Sequence, residues 1–192
     1  LYTAWAILWL RDLDWAEELT ELLAAVARKH QLKPYLTGST ALRGELLLAR
    51  GHPAEAAELL GGVLDDLRDE RQNIVLAPAM RAYAEALART GEIDRAREVI
   101  SSLVQRAESE APTYFLPELL RTQGQICEFA GGPADAEICY RRATAQARAN
   151  GALGWELRAA TSLARLWAGQ GRREDAQQLL QRTLSQFTDG RT

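Results

Sequence analysis

The residue types that most often carry catalysis or bind metals are scarce in this sequence. His30 and His52 are the only histidines, and Cys127 and Cys139 are the only cysteines. A general base or a metal site needs several such groups to converge in space, and the spacing of these four matches no known ligand set. We expect His30 at a helix end and His52 in a turn, with both cysteines as small core residues.

The sequence also lacks the loops that bind phosphates. A Walker A loop requires a Gly-Lys step, and the chain contains no such pair. The Gly169-Gln-Gly171 step lacks the third glycine and the preceding strand of a dinucleotide-binding fingerprint. We therefore predict that this chain has no catalytic residue, no cofactor and no metal site, and that it is not itself an enzyme.

A pattern of glycine and alanine returns every 40 residues and predicts the elements that carry the remaining polar side chains. Gly51, Gly91, Gly131 and Gly171 share one phase, and an alanine follows each of them five residues later. After each alanine, apolar residues recur at the i, i+3, i+4, i+7 spacing of a helical face. Because glycine ends helices in the left-handed conformation, each unit should be two helices joined by a tight turn.

The repeat predicts an all-α fold, an α-solenoid of about five antiparallel helix hairpins, since one hairpin alone cannot bury its apolar face. The small residue seven positions before each glycine should lie close to the alanine that follows the glycine. Ten helices are expected, with turns within the hairpins near 11–14, 51–53, 91–93, 131–133 and 171–173. The units of this single domain span about 1–34, 35–73, 74–112, 113–151 and 152–190.

The order of small residue, glycine, alanine and bulky apolar residue resembles the tetratricopeptide repeat. Leu60, Ile100, Tyr140 and Leu180 occupy the bulky position. The usual period of that repeat is about 34 residues, so the helices here should be about one turn longer. A HEAT-like array, with a period of about 40–47 residues, fits the length better and the glycine–alanine pattern worse. It stays open as the alternative architecture.

The segment 154–178, GWELRAATSLARLWAGQGRREDAQQ, resembles a recurrent C-terminal block of large bacterial signalling ATPases. Segments 30–48, 79–91 and 107–126 resemble the preceding blocks of the same tail. These proteins join an AAA/NB-ARC-like ATP-binding module to a helical-repeat tail. The resemblance implies a regulatory tail, with a winged-helix transcriptional regulator favoured and a class III nucleotide cyclase as the alternative. We expect the chain, which opens at Leu1 in an apolar run, to be a fragment of such a protein.

Composition limits the partners and the setting. The chain is 47% hydrophobic and 26% charged, with a net charge of −3, which is typical of a folded protein. It shows no basic stripe, so we expect no direct contact with nucleic acid. It also has no apolar run long enough for a membrane span and no secretion signal. A cytoplasmic location is the expectation.

The first helix of each pair lines the concave groove in tetratricopeptide arrays. By phase, that groove is polar here, with arginines one unit apart, and guanidinium groups suit carboxylates. We predict a protein or peptide partner, or a small anionic effector, and we expect Arg121 and Arg158 to face solvent. Local solvated pairs, such as Arg81 with Glu85, are the alternative. The candidate lining residues are Glu45, Arg81, Glu85, Arg121, Gln125, Glu128, Arg158 and Arg165.

Three tryptophans, Trp5, Trp9 and Trp15, crowd the first unit. Large aromatic side chains stabilise a core when they are buried, and they mark an interface when they are exposed together. Both interpretations stay open. If the tryptophans form an interface, the partner is the upstream ATPase domain of the same chain. Association of the chain with a second copy is a further possibility.

Overall fold

The computed structural model describes residues 1–71, 73–109 and 114–187. Within these ranges every regular element is a helix, so the predicted all-α class is confirmed. None of these helices is long and apolar enough to cross a membrane. The helices are α1 (Tyr2–Trp9), α2 (Leu13–Lys29), α3 (Lys33–Ala49), α4 (Pro53–Asp69), α5 (Asn73–Arg89), α6 (Ile93–Ser109), α7 (Leu116–Phe129), α8 (Pro133–Ala149), α9 (Leu153–Gly169) and α10 (Arg173–Leu184).

Each described connection between helices contains one residue in the left-handed conformation. Within the hairpins this residue is Gly51, Gly91, Gly131 or Gly171, as the glycine pattern predicts, and Arg11 takes the same role after α1. The residue after it closes the turn. For example, the His52 amide donates to the Leu47 carbonyl at 2.9 Å. This bond, made to the carbonyl five residues back, is the Schellman ending of a helix.

The connections between hairpins use the same turn, which the sequence pattern did not reveal. Gln31, Arg71 and Gly151 have φ values of 53°, 54° and 64°, and they lie 20 residues after Arg11, Gly51 and Gly131. A side chain in this conformation costs about 1–2 kcal/mol, so the packing of the flanking helices has to hold Gln31 and Arg71 there. The described chain therefore repeats one helix and one turn every 20 residues.

The described residues form two compact units, Leu1–Val99 and Ile100–Thr192. In the first unit, α1 to α5 pack on their sequence neighbours, and the first helices α1, α3 and α5 also pack side by side. In the second unit, α7 to α10 pack in the same order, and α7 contacts α9. Each unit is thus a stack of hairpins in which first helices lie against first helices.

The small residues of the first helices receive bulky side chains. A Cβ atom added to Gly44 would lie 2.5 Å from Leu60 Cγ, and one added to Gly124 would lie 2.6 Å from Tyr140 Cε1. Our expectation paired these small residues with Ala56 and Ala136, which are indeed fully buried. The atoms nearest to each glycine nevertheless belong to the bulky residue one helical turn beyond the alanine. The close approach is a fit of a large side chain into a gap.

We predict that Gly44→Ala destabilises the chain by about 1–3 kcal/mol, because Leu60 is fully buried and has no room to retreat. Gly62→Ala is the matched control, since nothing lies within 4 Å of its added Cβ. That change should stabilise α4 by about 0.5–1 kcal/mol through helix propensity. Chemical denaturation measures both, and equal effects of the two changes would contradict the close fit.

Candidate functional site

A chain of buried polar contacts runs across the first helices of the first unit. Glu45 on α3 accepts the indole N–H of Trp5 at 2.6 Å and a guanidinium N–H of Arg81 at 2.6 Å. On α5, Arg81 also donates to Glu85 at 3.0 Å, and Arg89 donates to the other Glu85 oxygen at 2.6 Å. Two carboxylates thus face two guanidinium groups. Their charges are balanced within this ladder.

The second unit contains a different arrangement centred on Glu118 of α7. Arg121 donates to both carboxylate oxygens, at 2.8 and 2.7 Å. Arg158 of α9 donates to the same two oxygens, at 3.3 and 2.8 Å. Glu118 is only 1% exposed. One buried carboxylate is therefore shared by two guanidinium groups, and it joins α7 to α9.

Electrostatics keep Glu118 ionised. Burial by itself would raise the pKa of this carboxyl group, but the charges and hydrogen bonds of Arg121 and then Arg158 outweigh the burial. The pKa of Glu118 consequently lies well below its usual range. The carboxylate is a fixed negative charge that orients both arginines.

The structure corrects our expectation that Arg121 faces solvent. Arg121 is 7% exposed, and Glu45, Arg81 and Glu85 are also buried. The physical reason is the lateral packing of first helices, which covers the face that would otherwise line an open groove. Arg158 is 30% exposed at its side chain and meets the expectation in part.

The remaining candidate residues lie nearer to solvent. Arg165 and Glu128 are exposed, and Gln125 is half-buried. Along α9, the residues Arg158, Thr161 and Arg165 follow one helical face and form the accessible part of the predicted groove in the second unit. We call these three residues the α9 stripe. Arg158 also lies over the ring of Trp155, 5.6 Å from its centre.

Sequence reasoning missed Glu118, the best connected carboxylate of the second unit. The signal that could have found it is the repeat itself, because residues 40 positions apart occupy the same place in adjacent hairpins. Glu118 and Arg158 have this separation, and so do Trp5 and Glu45. Arg81 and Glu45 are 36 apart, one helical turn less. Opposite charges at these intervals indicate ion pairs between first helices.

The tryptophans divide between core and surface. Trp5 is 3% exposed and is held by Glu45, so in this conformation it offers no surface to a partner. Trp9 is half-buried. Trp15 on α2 is 47% exposed. Of the three candidate interface residues, Trp15 is the one that a partner can reach.

The histidines and Cys139 lie where the sequence placed them, whereas Cys127 is only partly buried against the core. His30 is the C-cap of α2, and His52 is the N-cap of α4. Cys139 is buried, and burial raises the pKa of its thiol to about 11, which keeps it protonated and unreactive. Among the described residues, no group of three or more His, Cys, Asp and Glu side chains is arranged to hold a metal ion.

A depression of about 470 Å³ lies in the first unit beside Gly61 and Tyr83. Its charged lining residues are Glu58, Glu92 and Arg95, and the last two interact locally. Arg95 pairs with Glu92 at 3.3 Å and lies over the Tyr83 ring. These contacts give the depression no convergent group for a ligand, so the α9 stripe is the better candidate site.

We predict that Glu118→Gln destabilises the chain by about 3 kcal/mol near neutral pH, because Arg121 loses its buried counter-charge. The folded-state pKa is lowered, so the stabilisation by Glu118 is present above the ordinary carboxyl value of 4.5 and is lost as the pH falls below it. The stability gap between the parent and the variant should therefore narrow in acid. Denaturation curves over a pH series measure this gap.

Glu92→Gln is the control, because the Glu92–Arg95 pair is more than half exposed. Its effect should stay within about 1 kcal/mol at every pH. If the difference in stability between the parent and Glu118→Gln stayed constant across the acid range, the charge of Glu118 would not stabilise the fold.

Three segments of the chain match the family model of the tetratricopeptide repeat. They are residues 38–61, 77–100 and 157–182. Each segment spans one turn within a hairpin, at Gly51, Gly91 or Gly171. These are the places where the glycine–alanine pattern predicted the repeat.

Solved structures share the architecture. Two crystal structures are each 21% identical in sequence to this chain. Both show the nearly identical TPR-like repeats of a protein from Podosopora anserina that is described as a kinesin light chain. The match to the first structure covers 96% of this chain and 91% of that chain, with a TM-score of 0.59. The match to the second covers 100% of this chain and 95% of that chain, with a TM-score of 0.57.

BtubC (BKLC) from P. vanneervenii is 14% identical, and the match covers 96% of this chain and 76% of that protein, with a TM-score of 0.65. No curated protein sequence matches the chain. At these identities the likeness concerns the fold, and it favours the tetratricopeptide-like architecture over the HEAT-like alternative. The chain is therefore an all-α protein of tetratricopeptide-like helix hairpins, and three of its segments match the model of the tetratricopeptide repeat.

Proposed function

We propose that this chain is a non-catalytic module that binds an acidic protein segment on the α9 stripe. The observation that carries the proposal is the sharing of Glu118 between Arg121 and Arg158. Glu118 fixes the position of Arg158, and 30% of the Arg158 side chain remains exposed. A carboxylate of a partner can therefore approach the exposed part of this side chain.

The rest of the α9 stripe adds to this positive charge. Arg165 is exposed and forms no ion pair with the described residues. It lies two helical turns from Arg158, about 10 Å along the axis, and an extended peptide covers that distance in about three residues. Two carboxylates at such a spacing would each meet one arginine.

Aromatic packing holds the first of these arginines in place. Trp155 meets Phe115 edge to face, with 5.7 Å between the ring centres, and Arg158 lies over Trp155. A guanidinium group held by a ring and by Glu118 loses little further side-chain entropy when it binds. Such preorganisation favours recognition of a carboxylate over loose attraction of counter-ions.

The larger protein that we propose is an ATP-binding signalling protein of which this chain is the C-terminal repeat tail. The support is the resemblance of segment 154–178 and the three earlier segments to the tails of bacterial signalling ATPases. In this proposal the protein is a cytoplasmic transcriptional regulator, and partner binding by the tail biases its ATP-dependent switch. A class III nucleotide cyclase is the alternative parent, because the same kind of tail occurs in both.

We predict that short acidic peptides bind the chain more tightly than neutral or basic peptides of equal length. Fluorescence anisotropy with labelled peptides measures this preference. The affinity should fall as salt rises, because screening weakens exposed charge pairs. Arg165→Glu should weaken binding of the acidic peptides by about tenfold or more, which corresponds to about 1.4 kcal/mol.

Arg182→Glu is the matched control, because Arg182 is an exposed arginine of the same unit on α10. It changes the net charge equally and should leave binding unchanged. Equal losses for the two variants would mean that total charge, and not the α9 stripe, governs binding. Absence of any preference for acidic peptides would refute the proposed function.

We also predict that the purified chain neither hydrolyses ATP nor binds it tightly, since it contains no Gly-Lys step. The coding sequence upstream of Leu1 should encode a Walker A loop, preceded by a winged-helix domain. A class III cyclase domain there would select the alternative parent. Saturable ATP turnover by the purified chain, or an upstream sequence without a Walker A loop, would contradict the proposal.

A further inference from the structure

An apolar stripe lies uncovered on the outer face of α2. Trp15, Leu22 and Val26 are 47%, 60% and 44% exposed, and their spacing of seven and four residues places them on one side of the helix. Leu19 lies beside them and is half-buried. We call these four residues the α2 stripe. Single exposed apolar residues are common on proteins, but a contiguous row is typical of an interaction surface.

Comparison of the repeats shows that the exposed apolar row is specific to α2 and is not shared by the other second helices. The positions 40, 80, 120 and 160 residues after Trp15, Leu22 and Val26 hold polar residues or glycine. These positions are Glu55, Gly62 and Asp66 on α4, Arg95, Ser102 and Arg106 on α6, Asp135, Arg142 and Gln146 on α8, and Asp175 and Arg182 on α10. The same face that is apolar on α2 is solvated on every other described second helix.

Two opposite charges flank the same side of the α2 stripe at different heights. Glu18 lies in the first half of α2 and Lys29 lies in its last turn, and helical phase places both next to the stripe. Both side chains are exposed and form no ion pair with the described residues. A surface with an acidic group towards one end and a basic group at the other is complementary to its own copy turned end to end.

We propose that the α2 stripe binds the α2 stripe of a second copy of this chain, with the two helices antiparallel about a two-fold axis. This inference goes beyond the proposed function, which needs no self-association. Leu22, the most exposed residue of the stripe, lies at the axis opposite its own copy. Val26 of each copy then lies between Trp15 and Leu22 of the other, as a side chain fits between ridges in packed helices.

The same arrangement brings opposite charges together. In the antiparallel register, Glu18 of one copy falls within about one helical turn, about 5 Å along the axis, of Lys29 of the other. A parallel pairing would instead place acidic residues beside acidic residues and basic beside basic. Isologous contacts of this kind are the commonest basis of two-fold dimers.

The size of the surface sets the expected strength. A helix of 17 residues is about 25 Å long, so one helix face covers less area than a standard stable interface of about 800 Å² per partner. The dimer should therefore be reversible, with a dissociation constant on the order of 10–100 μM.

Sedimentation velocity of the full chain over a concentration series tests the proposal. The parent chain should change from monomer to dimer over this range. Leu22→Glu should raise the dissociation constant at least about tenfold, because it places two like charges at the two-fold axis. Its helical content should match the parent by circular dichroism, since Leu22 is exposed. Val26→Lys is a second variant of the stripe and should have the same effect.

Ile138→Glu is the matched control, because Ile138 is an apolar residue of α8 that is 58% exposed outside the α2 stripe. Its dimer should form as in the parent. A parent chain that stays monomeric throughout the series would overturn the proposal and would leave the stripe for a different protein. A dimer that survives Leu22→Glu, or that Ile138→Glu disrupts equally, would also overturn it.

Charge reversal tests the antiparallel register. One variant carries Glu18→Lys, and the other carries Lys29→Glu. Each should dimerise more weakly alone, because every helix then has like charges at both ends. An equal mixture should form the mixed dimer more tightly than either variant dimerises with itself. A mixture that is no tighter than the two variants alone would overturn the proposed pairing.

Discussion

The left-handed turn that closes α1 to α5 and α7 to α9 is the constraint on which the rest of the structure depends. Because it recurs every 20 residues, all complete second helices from α2 to α8 begin at the same phase and present the same positions to their neighbours. The fit of Leu60 against Gly44 and of Tyr140 against Gly124 follows from that regularity. Without a fixed helix end, a small residue and its bulky partner would not meet repeatedly.

Lateral packing of first helices is the second consequence of this regularity, and it decides where charge is buried. Residues of equal phase in successive hairpins become neighbours, so an acid in one hairpin meets a base in the next. Isolated buried charges are strongly unfavourable, whereas hydrogen-bonded pairs are tolerated. The Glu45–Arg81 and Glu118–Arg158 pairs therefore specify how adjacent hairpins align, even where they add little net stability.

The sequence predicted those parts of the fold that have a local chemical cause. Glycine at Gly51 and Gly131 marks a left-handed turn because a side chain is disfavoured there. The turns at Gln31 and Arg71 escaped prediction because these residues have no such preference, and tertiary packing holds them. The residues that were assigned to the groove by phase lie on the first helices α3, α5, α7 and α9. The burial of Arg121 was missed because periodicity identifies a face but does not report how closely the next helix approaches it.

The equal length of the described repeats makes the chain tolerant of some changes in length and intolerant of others. A single residue inserted within α3, before Gly44, would rotate everything between the insertion and the end of that helix by about 100°. Gly44 would then turn away from Leu60, and Glu45 from Arg81. Duplication or loss of one whole 40-residue unit would preserve every phase. Repeat number in such a chain is therefore free to vary in evolution, while the length of each helix is not.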